Sequence, residues 1–260
     1  MGESNPLLSM LFGGSGRNVS DQTKKFLDQD HRDSITTYED EYNSKVIFLD
    51  FLTKKPNMFD SYIYNSSKGL DAKDALEFIK IMRTIPQDRD LDIVLHTEGG
   101  DPLHVSPIIN AMSIHKGKIR VHIPYCVKSG GILIALAADE IYMDKYAYLG
   151  QIDTQYLSEI STSNIDPSTS WISDLLNMSK LSSDASTEKT QMFVRKICAM
   201  KNIHNGDLMC EVFASGKYEK NHSMFVSDIQ ENNLLKNMST DLKKDLIILF
   251  EERKELNTKA

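Results

Sequence analysis

Two glycine-containing turns carry the residue types in this chain that could do chemistry. The first turn is His96–Gly100 (HTEGG), and the second is Cys126–Gly131 (CVKSGG). Each turn follows an apolar run of strand length and precedes a segment with helical character. A serine on such a turn is exposed and lies at a helix N-terminus, where the helix dipole stabilises a developing anion. This pattern favours acyl transfer with Ser129 as the nucleophile.

The glycines beside Ser129 are predicted to serve the same reaction. Glycine lets the backbone approach a substrate closely, with its N–H pointing outward. The N–H groups of Gly99 and Gly130 are therefore candidates for an oxyanion hole, and Gly100 and Gly131 are candidates for substrate contacts. A purely structural interpretation competes with this one. Glycine turns also allow close helix packing, and the serine would then act only as a helix N-cap.

The elements that must position these turns alternate between strands and helices. Such an order predicts a mostly parallel sheet with crossover helices. The strand-to-helix turns of neighbouring units then meet at the carboxyl edge of the sheet, where ligands bind. Residues 157–187 are rich in serine and threonine and are predicted to be irregular. The predicted strands span residues 46–49, 61–64, 91–95, 119–123 and 140–143, and the predicted helices span residues 71–85, 102–115, 132–138, 186–201, 207–215 and 240–254.

The composition is that of an ordinary globular chain with an acidic balance. The 260 residues carry 30 Lys and Arg against 37 Asp and Glu, a formal net charge of −7. This balance argues against nucleic-acid binding, which depends on clustered basic side chains. The three cysteines form no CxxC pair, which fits a reducing compartment. The longest apolar run spans only residues 132–138, whereas a membrane helix needs about 20 residues, so we expect a cytoplasmic protein that reaches a membrane only through a partner.

Three segments are predicted along the chain. Residues 1–44 carry eight acids and four bases and are expected to form a flexible polar tail. Residues 45–236 are expected to form the α/β domain, and residues 237–260 a C-terminal amphipathic helix with Leu242, Leu246 and Leu249 on one side. The histidines show no metal-ligand spacing, so neither a metal nor an organic cofactor is expected.

Three pieces of sequence between residues 91 and 155 carry a resemblance to a known family. They are HTEGG at 96–100 against the family's HTPGG, SGGILIALAADEI at 129–141 against SGGTLIALAADEI, and LGQIDTQ at 149–155 against LGPIDPQ. The chain thus resembles the serine dehydrogenase proteinase family, which belongs to the ClpP/crotonase superfamily and is similar to signal peptide peptidase A. The similarity extends more weakly over about residues 60–236. It implies an α/β fold, a ClpP/crotonase-like spiral of ββα units with a helical C-terminal part.

The resemblance also implies a serine peptidase with a Ser-Lys dyad that acts on peptide or protein substrates as a homo-oligomer. The family's nucleophile falls on Ser129, and its oxyanion-hole amides fall on Gly99 and Gly130. The segment 187–189 resembles the family's AEK element, which makes Lys189 the candidate base. Burial disfavours the charged form of a lysine, and the neutral amine can then take a serine proton. The competing lysines are Lys128, Lys180 and Lys196.

Two departures from the family pattern lie beside the candidate site. Glu98 stands where the family has proline, and Lys128 stands where it has an apolar residue. An anion at position 98 would oppose an oxyanion unless it points away. Two other functions therefore stay open. One is a catalytically inactive relative that acts as an interaction or scaffold protein, and the other is a crotonase-type enzyme on an acyl-thioester.

The sequence offers other nucleophiles and bases for the same site. A Ser-His pair would use His96, His104 or His122, but a histidine in a strand is more often structural. Cys126 is either a reactive thiol or, as cysteine more often is, a buried and inert one.

Overall fold

The computed structural model describes residues 21–50, 69–100, 102–152, 183–203, 205–215, 222–231, 234–235 and 237–258. Within these ranges, the side chains of residues 21–28, 102–103, 183–186, 189 and 256–258 are not described. The chain divides into two compact units. The first comprises residues 1–43 with 243–260, and the second comprises residues 44–242.

A five-stranded parallel sheet forms the centre of the second unit. Its strand order is β1-β2-β3-β5-β8, and every neighbouring pair is parallel. A smaller sheet has the order β4-β6-β7, with only the β6–β7 pair antiparallel. The strands are β1 (Ser44–Asp50), β2 (Asp90–His96), β3 (Ile119–Ile123), β4 (Cys126–Val127), β5 (Glu140–Met143), β6 (Tyr148–Leu149), β7 (Met224–Phe225) and β8 (Met238–Ser239).

Helices connect these strands, as the alternating pattern predicts for a parallel sheet. The first of them in the second unit, α2 (Ala72–Thr84), begins at a capping box in which the Asp71 carboxylate accepts from the N–H groups of Lys73 and Asp74. In the second unit the helices are α2 (Ala72–Thr84), α3 (Pro102–Ile114), α4 (Gly130–Leu136), α5 (Ser183–Met200), α6 (Gly206–Ala214) and α7 (Val226–Glu231), and in the first unit they are α1 (Asp21–Glu41) and α8 (Lys244–Thr258).

The two faces of the main sheet differ in chemistry. Alternate residues such as Leu91, Ile93 and Leu95 are fully buried and belong to the hydrophobic core. The opposite face carries a polar network, in which Arg120 Nε donates to Asp92 Oδ1 at 2.8 Å and His122 Nε2 lies 2.8 Å from the same oxygen. Burial would raise the pKa of Asp92, but the bonds with His122 and Arg120 outweigh it and hold this pKa well below its usual range.

Helices α1 and α8 pack against each other in the first unit. His31 Nδ1 lies 3.4 Å from Glu252 Oε2, and Lys243 Nζ lies 3.8 Å from the centre of the Tyr42 ring. The expectation of a flexible tail over residues 1–44 is therefore wrong for Asp21–Glu41, which forms a 21-residue helix. The polar composition of this segment wrongly indicated disorder, because the helix packs against α8, which is more than 200 residues away in the sequence.

Most predicted elements near the site are confirmed. Strands β3 and β5 have the predicted bounds, and α4 is buried along its whole length. The second unit ends at Leu242 instead of residue 236, because β8 pairs with β5. The predicted strand at 61–64 and most of the irregular stretch 157–187 lie outside the described residues.

None of the described helices combines the length and the apolar character that crossing a membrane requires.

Candidate active site

Backbone hydrogen bonds join the two glycine turns side by side. The Thr97 N–H donates to the Cys126 carbonyl oxygen at 3.1 Å, and the Lys128 N–H donates to the Thr97 carbonyl oxygen at 3.1 Å. Thr97, just beyond the end of β2, thus forms a parallel bridge with Val127, the last residue of β4. The prediction that these turns meet at the carboxyl edge of the sheet is confirmed.

Ser129 occupies a strained turn directly before α4. Its φ of 46° and ψ of −126° lie in a region that residues other than glycine seldom adopt, at a cost of about 1–3 kcal/mol. Its N–H donates to the Gln151 carbonyl oxygen at 3.0 Å. The hydroxyl makes no hydrogen bond to a helix N–H or to any other group of the described residues. The interpretation of Ser129 as a side-chain N-cap is therefore wrong, and its hydroxyl is left for another partner.

The glycines are required because the two turns touch. Gly99 has a φ of +115°, and a Cβ atom there would lie 2.5 Å from Ser129 Cβ. A Cβ atom at Gly130 would lie 2.8 Å from the Gly100 carbonyl oxygen and 3.5 Å from the Gly100 nitrogen. Side chains at these positions would push the first turn away from the nucleophile.

Two of the predicted backbone contacts are not available as expected. The Gly99 N–H already donates to Thr97 Oγ1 at 2.9 Å, so this amide is not presented to a substrate oxygen. The Gly131 N–H donates to the Lys128 carbonyl oxygen at 2.9 Å, and a Cβ atom at Gly131 would lie 2.5 Å from Thr97 Cγ2. The missing side chain of Gly131 thus lets α4 pack closely against Thr97. Gly130 and Gly100, in contrast, lie next to each other beside Ser129.

The charge of Glu98 is neutralised by Lys128. The Lys128 Nζ lies 3.5 Å from Glu98 Oε1, and its stem crosses Gly150, where a Cβ atom would lie 2.6 Å from Lys128 Cγ. Burial is the largest single influence on Lys128 and would lower its pKa, but the Glu98 carboxylate together with the Tyr148 and Cys126 side chains outweighs it, and the pKa is raised. Lys128 is therefore a protonated partner of Glu98 and not a neutral base for Ser129.

His96 belongs to a polar cluster that no sequence motif marks. Its Nδ1 lies 3.1 Å from Asp50 Oδ1, and its ring centre lies 5.2 Å from that of Tyr125. Burial would lower the pKa of His96, but hydrogen bonds with Asp50 and Cys126 raise it to about 9. Asp50 and His96 are the last residues of two adjacent strands and are paired in register. Their positions at the ends of two predicted strands were the feature of the sequence that could have indicated this contact.

Comparison with models of protein families shows which family this chain is related to. The model is described as a ClpP-like SDH-type serine proteinase, and it matches residues 19–256. The chain belongs to this family. The match extends past both ends of the segment 60–236 in which the motifs showed similarity, and the ClpP-like fold expected from those motifs is confirmed.

The chain is also similar to curated proteins and to solved structures. The uncharacterized proteins MJ0137 and MJ1495 of Methanocaldococcus jannaschii are 37% and 44% identical over 44% and 34% of this chain. These matches span only 38% and 30% of those proteins. A Ser-to-Ala mutant of the 1510-N membrane-bound stomatin-specific protease is 14% identical, covers 66% of this chain and 76% of that one, and has a TM-score of 0.48. ClpP1 from Listeria monocytogenes is 12% identical, covers 66% of this chain and 88% of that one, and has a TM-score of 0.46.

The candidate base of the family lies on α5, which packs against α4. Lys189 stands between the exposed Glu188 and the buried Thr190, and its own side chain lies outside the described residues. Lys196 is exposed on the same helix, and Lys180 lies outside the described residues. Within the described part of the chain, no group of three or more His, Cys, Asp or Glu side chains could hold a metal ion.

Proposed function

We propose that this chain is a serine peptidase that cleaves peptide or protein substrates with Ser129 as its nucleophile. The observation that carries this proposal is the strained backbone of Ser129 on the strand-to-helix turn. A nucleophile held in this way projects its hydroxyl from the turn at the N-terminus of α4. Membership in a family of serine proteinases supports the same reaction class.

The amides of Gly130 and Gly100 are the proposed oxyanion hole. Gly130 follows the nucleophile and opens α4, so its N–H lies at the positive end of the helix dipole. A Cβ atom added at Gly130 would lie 3.5 Å from the Gly100 nitrogen, whereas the Gly99 N–H is donated to Thr97 Oγ1. The proposed second donor of the oxyanion hole is therefore the Gly100 amide and not the Gly99 amide predicted from the sequence. Gly99 instead allows the first turn to approach Ser129 closely.

The proposed reaction proceeds by acyl transfer. Ser129 Oγ attacks the substrate carbonyl carbon while Lys189 accepts its proton, and the two amides stabilise the oxyanion. Lys189 then protonates the leaving amine, and water hydrolyses the acyl-enzyme. The ion pair of Lys128 with Glu98 and the exposure of Lys196 argue against these two lysines, and the resemblance of residues 187–189 to the family's AEK element favours Lys189.

A serine-reactive fluorophosphonate tests the nucleophile. The folded wild-type chain is expected to be labelled at Ser129, and Ser129→Ala is expected not to be labelled, as shown by peptide mass mapping. Absence of label on folded wild-type protein would favour the inactive scaffold, and turnover of an acyl-thioester without peptide cleavage would favour the crotonase-type enzyme.

The proposed role of Lys189 as the base is tested by substitutions on α5. Lys189→Ala is expected to lower peptide cleavage by at least about 100-fold, because general base catalysis contributes that much. The matched control Lys196→Ala removes an exposed lysine and is expected to change cleavage by less than about twofold. Equal losses in both variants would remove Lys189 from the mechanism.

We also infer that the chain acts as a homo-oligomer. Membership in the ClpP-like family supports this inference. Light scattering after size exclusion is expected to give a mass that is a multiple of 29.5 kDa. A single monomer mass at micromolar concentration would contradict it.

A further inference from the structure

A buried glutamine lies against the turn that carries Ser129. Gln151 follows β6 and is 8% exposed, and its carbonyl oxygen accepts the Ser129 N–H at 3.0 Å. The preceding residue is fixed as well, because the Gly150 N–H donates to the Val127 carbonyl oxygen at 2.9 Å. Backbone hydrogen bonds therefore hold Gln151 beside the proposed nucleophile.

The side-chain amide of Gln151 lacks an acceptor. Its Nε2 is buried and makes no hydrogen bond to any of the residues that the structure describes. Neighbouring polar side chains differ in this respect, since Thr97 Oγ1 accepts the Gly99 N–H at 2.9 Å and Lys128 pairs with Glu98. A buried donor without an acceptor costs free energy, so its presence in a folded protein requires an explanation.

The chemistry of the missing acceptor follows from the donor. A carboxamide nitrogen is neutral and carries two N–H donors, which suit a neutral oxygen acceptor such as a peptide carbonyl. An extended peptide carries one such carbonyl per residue, about 3.3 Å apart along the chain. A peptide whose scissile carbonyl is attacked by Ser129 therefore brings its next main-chain carbonyl groups to the neighbourhood of Gln151.

We propose that Gln151 is a substrate-binding residue, whose Nε2 donates to a main-chain carbonyl oxygen of the peptide beside the scissile bond. This contact rests on the proposed peptidase function and specifies how the substrate is held. It uses the main chain and not a side chain of the substrate, so it favours peptides over small esters that lack a neighbouring carbonyl. The family motif LGPIDPQ has proline at this position, which offers no side-chain donor, so the donor comes from this chain's own sequence.

The lack of an acceptor is tested in the free protein. Gln151→Met keeps the length of the side chain and removes the donor, so the midpoint of urea denaturation is expected to stay unchanged or to rise. Gln191 is the matched control, because its Nε2 donates to the Ala214 carbonyl oxygen at 3.2 Å, and Gln191→Met is expected to lower the midpoint. An equal loss in both variants would mean that Gln151 is already partnered in the free chain, by an ordered water for example, and would overturn the proposal.

The contact itself is tested with two substrates. One is an unstructured peptide, and the other is p-nitrophenyl acetate, which has no carbonyl group beside the one that is attacked. Gln151→Met is expected to lower kcat/KM for the peptide about fivefold, which corresponds to the loss of one neutral hydrogen bond. Hydrolysis of the ester above the Ser129→Ala background is expected to change by less than about twofold. Equal losses on both substrates, or no loss on either, would overturn the contact.

Two further variants secure this comparison. Gln191→Met is expected to leave the ratio of the peptide rate to the ester rate unchanged, and a change as large as that of Gln151→Met would contradict a specific role of Gln151. Gln151→Leu also removes the donor, and it gives the same comparison if Gln151→Met does not fold.

The proposed peptidase function and the substrate contact fail in different ways. Wild-type protein that takes no fluorophosphonate label and cleaves neither substrate contradicts the peptidase function, and the contact with it. Labelled and active wild-type protein, with an unchanged substrate ratio in Gln151→Met, contradicts the contact alone. Labelling of Gln151→Met at the wild-type rate, together with the selective loss of peptide cleavage, supports both.

Discussion

At the scale of single residues, Ser129 adopts a backbone conformation that suits glycine. Replacing it by glycine relieves the strain of its positive φ, whereas alanine keeps the strain and removes the hydroxyl. We expect Ser129→Gly to be more stable than Ser129→Ala by about 1–2 kcal/mol in chemical denaturation, with neither variant active. Equal stabilities would show that the turn is not strained by the serine.

The His96 cluster is expected to make stability depend on pH. The pKa of His96 is about 9 in the folded chain, above the usual 6.5. The stabilisation is therefore complete below pH 6.5 and is lost as the pH rises through 9. We expect the free energy of unfolding to fall by roughly 2–3 kcal/mol over this range.

The control for this pH dependence is His96→Asn. Asp50, Cys126 and Tyr125 face the imidazole, and they remain in the variant. Denaturation midpoints at pH 6, 7, 8 and 9 are expected to decline more in wild type than in the variant. The same decline in both chains would assign the pH dependence to other groups.

At the scale of elements, the polar face of the main sheet depends on Asp92. This fully buried carboxylate is the shared partner of Arg120 and His122 across β2 and β3. Removing one partner of a buried ion pair leaves an uncompensated charge, so we expect Asp92→Ala to cost about 3–5 kcal/mol in urea denaturation.

Asp90 provides a matched control on the same strand. Its carboxylate accepts from Arg120 at 3.0 Å, but its side chain is 36% exposed. We expect Asp90→Ala to cost about 1 kcal/mol or less. A similar cost for both substitutions would mean that burial does not determine the strength of this network.

The sequence predicts elements well where local signals agree. Ile119–Ile123 is largely apolar and ends before a proline, and Glu140–Met143 alternates between partly buried and fully buried residues, so local sequence predicts the bounds of both strands. The capping box at Asp71 likewise marks the start of α2. These signals lie within a few residues of each other along the chain.

The site was less predictable because its hydrogen bonds join distant segments. The position of Ser129 followed from the motif, but its N–H is held by Gln151, and the Gly99 N–H is taken by a threonine hydroxyl. The pairing of His96 with Asp50 joins two strands 46 residues apart. No periodicity encodes such contacts.

At the scale of the whole molecule, α1 and α8 are far apart in sequence and pack together in one unit. Leu246 of α8 is fully buried, and Ile248, on the same helix, is 46% exposed. We expect Leu246→Ala to cost about 2–5 kcal/mol and Ile248→Ala to cost much less. Hydrogen exchange in α1 and α8 is the measurement, and equal protection in both variants would contradict the packing of these helices.

The contact between Glu98 and Lys128 has a consequence for how the sequence changes over time. Each residue alone would leave an unpaired charge beside the nucleophile, and together they neutralise one another. We therefore expect the two positions to be coupled, so that the effect of a substitution at one depends on the residue at the other. A comparison that scores positions independently counts two mismatches to the family motif, whereas physically the pair is a single change.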